Sequence, residues 1–500
     1  MAFAGPDNLN MGTGVVTLGG VGARTVTVPS GTLTVGRLSG TSVSGTFGLT
    51  KAGPGTLTLN PTTTGSIGDL VVADGTLNIG AQDLVTTGLT GSGTIANGSA
   101  TTRWLVVNSA TDTTFSGLLT DGAGGGKLGL RKEGAGVLTL DTTNTYTDPT
   151  TLGIAQGAAV LRAAATNALG TGTIAFDTTG NASTARLELA GGITLANSAV
   201  TLAGRNTATA AILNVSGSNT LNAPITVTVG GSTYIFQSDS GTLNLGGAIS
   251  ATGGSRLLTV SGSGNGILGG AISNGGGTIA IAKSGTGTWT LSGNSTYTGT
   301  TAVLGGILNV NGDNSAATGA VTVAGGSLGG TGSLGGAITV GTGGTIIPGA
   351  SIGTLTGTQS VSFTDGSTYG FEINSASVLA DLLRVGTNLN LSGTVTLALT
   401  DLSSSTVIPQ NTVLSLVNYA GSWNGGLLTF GGTALADGDQ FTFGVNQFLI
   451  DYNSTTQGSN VTTPVGANYL NLVAVPEPTI TLAALASLGL AGLMLRRRDS

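Results

Sequence analysis

Residues 283–292 read KSGTGTWTLS, and the same frame recurs as KAGPGTLTLN at 51–60 and KEGAGVLTLD at 132–141. Each copy is a lysine, a Gly-x-Gly corner, and a run in which every second residue is apolar. Alternation with period two marks a half-buried strand. Glycine in the corner supplies the positive φ that a tight change of direction needs, and Gly285 and Gly287 are expected to do this in their copy. The second and third copies continue in step, with TNTYTDPTT after one and NSTYTGTT after the other. Tyr146 and Tyr297 therefore stand at the same distance from Lys132 and Lys283.

Looser copies fill the intervals, among them SGTLTVGRLSG at 30–40, SGTLNLGGAIS at 240–250 and GGTIIPGASIGTLTG at 343–357. Short strands at regular spacing inside a repeat point to a solenoid, in which each coil covers the strand edges of its neighbour. The expected fold is all-β: a right-handed β-helix or solenoid of degenerate repeats over residues 1–357. Only 8% of the 500 residues are charged. A stacked fold explains this, because like charges repeated at the strand spacing of about 4.8 Å repel. The chain is not disordered by composition, since 39% of it is hydrophobic despite its 89 glycines.

After residue 357 aromatic and acidic residues become commoner. Residues 358–474 read as an all-β C-terminal segment or cap, which a solenoid needs over its last coil. The strongest amphipathic helix candidate in the chain lies here, SASVLADLLRVG at 375–386, with a simple turn as the alternative reading. Residues 475–500 form a third part: VPEP at 475–478, an apolar run over 479–495, then Arg496, Arg497 and Arg498. That run reads as one short transmembrane helix. Seventeen residues at 1.5 Å span about 26 Å, slightly less than a hydrocarbon core, and the three arginines hold the cytoplasmic end.

Several kinds of chemistry are absent. The chain has no cysteine and no histidine. Disulfides, thiolate metal sites, imidazole bases and His-containing triads are excluded. Lys and Arg are sparse in a chain of net charge −6, so no nucleic-acid partner is expected. No phosphate loop occurs among the Gly-rich stretches. No cofactor, metal or catalytic residue is expected.

The three lysines recur at one position of the repeat, whereas a catalytic base is needed once. They read as solvated corners of the coil. Trp104, Trp289, Trp423, Tyr146 and Tyr297 are candidates for stacking on sugar rings, but Trp289 takes the place of Leu57 and Leu138 in its repeat and reads as packing within the coil. Asp437, Asp439 and Asp451 offer oxygen ligands of the kind calcium takes; the simpler reading of Asp437-Gly438-Asp439 is a hairpin turn.

The K-x-G-x-G-x-L-T-L opening with N-T-Y-T-G-x-T and a G-x-L-x-V strand resembles the autotransporter-associated β-strand repeat. The third copy matches best, through TTAVLGGILNVNG at 300–312, while the second has Asp148-Pro149 where Gly is usual. The resemblance implies a β-helical passenger-like surface protein and no particular activity. The tail of Val475, Pro476, Glu477 and Pro478, the apolar run and Arg496 to Arg498 resembles a PEP-CTERM sorting signal. It implies an exosortase-type processing enzyme as partner, a hold in the inner membrane through residues 479–495, and delivery to the cell surface or extracellular matrix; the alternative for the same tail is a permanent C-terminal anchor. Extracellular polysaccharide is a further candidate partner. The opening MAFAGPDNLNMGTG has no basic or apolar region of a secretory leader, which implies a start upstream of the chain given. The resulting reading is an exported, non-enzymatic structural or adhesive protein. The alternatives are a β-helix carbohydrate-active enzyme or polysaccharide-binding protein, and a true autotransporter, which needs a C-terminal barrel.

Overall fold

The computed structural model describes residues 7–476, apart from 19–21, 41–46, 154–156, 177–181, 204, 229 and 404–405. The described residues contain strands, turns and bends and no helix. They form two compact units, 1–337 and 338–500.

The first unit is a right-handed-type parallel β-solenoid. One turn near its C-terminal side shows the plan: strands Thr301–Val303, Ile307–Val310 and Asp313–Asn314 follow one another around the coil. The next turn lays Val321–Val323, Ser327–Gly330 and Ser333–Leu334 beside them, each pair parallel and in register. Turn length varies. Ile307 follows its ladder partner Thr288 by 19 residues, while Leu187 follows Leu161 by 26. The slack sits in the corners, so the ladders stay aligned while the linear spacing of the repeat drifts.

The alternation seen in the sequence sorts the two sides of each strand. In Thr56–Leu59 the leucines are buried and the threonines half-buried. Leu33, Leu57, Leu77, Ile95 and Leu119 stack in one ladder and are all fully buried. Burying a side chain of this size contributes about 1.5–3 kcal/mol, and the outer rows of Thr and Asn solvate the coil without charge.

The second unit repeats the plan for three turns, beginning with Ile338–Val340, Thr345–Pro348 and Thr354–Gly357. Parallel stacking runs across residue 357, because Thr354–Gly357 pairs with Leu382–Val385. Val413–Tyr419 pairs parallel with Leu382–Val385 on one side and antiparallel with Asn468–Val475 on the other, and the antiparallel order continues through Asn446–Ser454 to Gln440–Phe443.

Of the two readings of 375–386, helix or turn, the structure has the turn, at 375–378, followed by the short strands Leu379–Ala380 and Leu382–Val385. Ser367–Asn374 turns back antiparallel onto Leu379–Ala380, through Val378 at a φ of 55°, and Leu382–Val385 joins the parallel stack. Asp381 explains the outcome. Its carboxylate accepts the amides of Gly353 and Glu372, each at 2.9 Å, tying the segment to two strands that a helix would leave.

Candidate functional site

The repeat itself is the place to look for chemistry, and its lysines are not where a solvated corner would put them. Lys51, Lys132 and Lys283 have no exposed surface. Each lies in an inward ladder between aliphatic residues: Val26 and Val72 flank Lys51, Val107 and Leu152 flank Lys132, Val260 and Val303 flank Lys283. The alternation dictates this, because Leu49, Leu130 and Ile281 two residues earlier already point inward.

The ammonium groups close the corner from inside. Lys283 Nζ donates to the carbonyls of Ser284 at 2.8 Å, Gly285 at 3.0 Å and, one turn on, Gly305 at 3.0 Å. Lys51 Nζ does the same with Ala52, Gly53 and, one turn on, Asp74, at 3.2, 2.6 and 2.9 Å. Lys132 Nζ donates to Glu133 and Gly134. Burial pushes Lys132 and Lys283 down to about 8, with Glu133 and Asp112 drawing Lys132 back. Burial also lowers Lys51, against the pull of Asp74.

The two better-preserved lysines do not stack on one another. Traced back from Lys283, the ladder passes Val260, Phe236, Ile212, Leu187 and Leu161 to Leu138, not to Lys132. Lys132 and Lys283 thus occupy different corners of the coil, and the repeat lines up no row of amines.

Tyr146 and Tyr297 are buried as well. Tyr146 Oη lies 2.6 Å from Thr150 Oγ1, and Tyr297 Oη lies 2.7 Å from Thr301 Oγ1. Burial raises the phenol of each above its ordinary value, the threonine pulling the other way. The Y-x-x-x-T spacing is visible in the sequence, and the threonine is the partner that sequence reasoning left out.

Trp289 is fully buried and its indole N–H reaches Ser261 O at 3.2 Å. It faces Gly266 in the preceding turn, where a Cβ would lie 2.3 Å from the indole. Trp104 also meets a glycine, Gly129, and Arg131 lies over its ring at 5.1 Å. Trp423 stacks on Tyr452 at 4.7 Å with the rings 15° apart. The five aromatic residues are therefore dispersed and form no common platform. The acidic trio is held by backbone: Asp439 accepts Ala436 N–H at 2.7 Å and Asp437 accepts Tyr452 N–H at 2.8 Å, with Gly438 at a φ of 83°. Asp451 lies in Asn446–Ser454 opposite Asn471. No group of three acidic residues placed to hold a metal occurs among the described residues.

Sequence reasoning passed over two buried polar sites. Glu188 is bridged by Arg162 at 2.6 Å and Arg186 at 2.5 Å, and Arg205 is fully buried among the carbonyls of Ala185, Thr209 and Ala210. Neither has a spacing signal. The tail motif starts where the last strand stops: Val475 ends Asn468–Val475 and Pro476 is exposed. Glu477, Pro478, the apolar run 479–495 and Arg496 to Arg498 lie outside the described residues. Among the described residues no helix is long and apolar enough to cross a membrane.

Residues 49–79, 130–153 and 281–310 match the family model of the passenger-associated-transport-repeat. Each matched stretch begins two residues before a buried lysine, at Leu49, Leu130 and Ile281. A stretch of 117 residues is 42% identical to the adhesin BmaC autotransporter of Brucella suis biovar 1 (strain 1330). It covers 20% of this chain and 3% of that protein, so the chain spans a small fraction of that relative's length.

Proposed function

We propose that this chain is an exported, surface-displayed protein that acts by adhesion and carries out no catalysis. The observation that supports the reading most is the fate of the repeated polar groups: the amines of Lys51, Lys132 and Lys283 and the phenols of Tyr146 and Tyr297 are spent on the coil itself. What the repeat offers to the outside is a set of uncharged Thr and Asn rows, suited to many weak contacts along a surface. The likeness to an adhesin over 117 residues supports the same reading. Extracellular polysaccharide is the partner whose hydroxyl chemistry fits those rows.

The tail belongs to the proposal. Val475 to Pro478, the apolar run 479–495 and Arg496 to Arg498 form a sorting signal read by an exosortase-type enzyme, which releases the body from the inner membrane. The test supplies a working leader and expresses the chain in a non-adherent host with and without exosortase. The expected result is attachment of cells to a polysaccharide-coated surface only when exosortase is present, with LRRRDS missing from the mature C-terminus by mass spectrometry. Intact LRRRDS in both hosts contradicts sorting; attachment equal to that of empty-vector cells, with the protein on the surface, contradicts adhesion.

A further inference from the structure

The outward face of one parallel sheet in the first unit carries a charged group among neutral rows. Leu161, Leu187 and Ile212 are buried in one inward ladder, so the residues on either side of each point outward. Arg162 and Glu188 are ladder partners on that outer side, and Arg186 stands beside Val160. The row that holds Arg162 and Glu188 has Thr139 before it and Leu213 and Gln237 after it, all uncharged.

Glu188 takes both arginines by the same edge. Its Oε2 accepts Nε and Nη2 of Arg162 at 2.8 and 2.6 Å, and its Oε1 accepts Nε and Nη2 of Arg186 at 2.9 and 2.5 Å. The Glu188 side chain is 3% exposed, whereas those of Arg162 and Arg186 are 34% and 30% exposed. The acid thus lies beneath two guanidinium groups and fixes both. Nη1 of each arginine has no hydrogen-bond partner among the described residues. One arginine would neutralise Glu188. The second leaves an excess positive charge, and no other acidic side chain pairs with either arginine among the described residues.

The free edge of a guanidinium presents paired N–H donors in a plane, the shape a carboxylate accepts. Glu188 already orders both groups, so little side-chain freedom is lost when a ligand arrives. We propose that Arg162 and Arg186, held by Glu188, bind the carboxylate groups of an acidic polysaccharide built on uronic acids. The proposal rests on the adhesive reading above and names the class of its partner. A neutral glycan would leave the excess charge unmatched. The chain as a whole carries a net charge of −6, so general attraction does not draw it to a polyanion.

The test is affinity electrophoresis of the full chain through gels containing polygalacturonate or, as the neutral comparison, dextran. Retardation is expected with polygalacturonate and not with dextran. Arg162→Gln and Arg186→Gln are each expected to raise the dissociation constant at least about tenfold. Arg162→Lys keeps the charge but loses the planar edge, and its affinity is expected to fall between those of the unaltered chain and Arg162→Gln. Lys127→Gln removes an exposed cation elsewhere and is expected to change nothing. Equal retardation in both gels, none with polygalacturonate, or undiminished affinity in the two Gln variants overturns the proposal, as does an equal loss in Lys127→Gln. If the arginine variants fail to fold, modification of the unaltered chain by phenylglyoxal decides: polygalacturonate is expected to slow it at Arg162 and Arg186, and an unchanged rate overturns the proposal. Adhesion is judged separately by cell attachment, so intact attachment without preference for uronate overturns this proposal and leaves that reading standing.

Discussion

A buried lysine is costly, and the repeat accepts that cost three times. Without Lys283 the carbonyls of Ser284, Gly285 and Gly305 lose the donor that closes the corner. Unmet polar groups cost about 1–3 kcal/mol, and the relief of removing a buried charge offsets part of that. Lys283→Met is expected to lower unfolding stability by about 2 kcal/mol in a denaturant titration; an unchanged or higher midpoint contradicts the capping role. The same groups set a pH profile. Lys132 and Lys283 titrate near 8 when folded and at 10.5 in the unfolded chain, so the unfolded chain binds more protons between those values and stability rises with pH there. Tyr146 and Tyr297 are held above their ordinary 10.0. The unfolded phenols lose protons first, so their contribution is complete below 10 and is lost above it. Melting temperature against pH is expected to climb from about 8 and turn down above about 10, and the climb should shrink in Lys283→Met. Trp289 supplies a sharper test. Gly266→Ala places a methyl against the indole, and overpacking of this kind costs about 1–3 kcal/mol. Trp289→Leu, which restores the residue of the other copies, is expected to cancel most of that cost in a double-mutant cycle; simple additivity contradicts the contact.

At the scale of the element, corners decide more than strands do. The strands were legible: Thr-Leu alternation in Thr56–Leu59 and Thr288–Leu291 came out as half-buried and buried residues in turn. The corner chemistry was legible only in part. Gly285 has the expected positive φ, 69°, but Gly287 does not; its constraint is a close approach, since a Cβ there would lie 1.9 Å from Gly264 O. Both Gly285→Val and Gly287→Val are expected to destabilise the first unit by more than about 1 kcal/mol, the first through backbone strain and the second through displacement of the preceding turn. Gly285→Asn, which tolerates positive φ, should cost less than Gly285→Val, and equal melting of the three proteins would remove the assignment. The segment 375–386, open between helix and turn in the sequence, shows the limit of pattern reading. Its apolar spacing suits a helix, but Asp381 bonds to amides 28 and 9 residues away, and no local pattern reports a partner at such distances.

For the molecule as a whole, the sequence carried the stacking principle and misplaced the polar groups. Charge made Lys51, Lys132 and Lys283 look like surface residues, although their own period-two frame, counted from Leu49, Leu130 and Ile281, set them inward. The aromatic candidates were scattered by topology: the ladder from Lys283 returns to Leu138, so positions equivalent in the repeat are not neighbours in space. The antiparallel cap and the buried Asp381 of the second unit depend on contacts across tens of residues and left no periodic trace. The remaining lysine, Lys127, is exposed and serves as an internal control for the central claim that the repeat lysines form the core of the coil. The most direct measurement is brief acylation of the folded full-length chain with an amine-reactive ester, read peptide by peptide in the mass spectrometer. The account predicts rapid modification of Lys127 and protection of Lys51, Lys132 and Lys283 until the chain is unfolded. Modification of all four at comparable rates in the folded protein would contradict it.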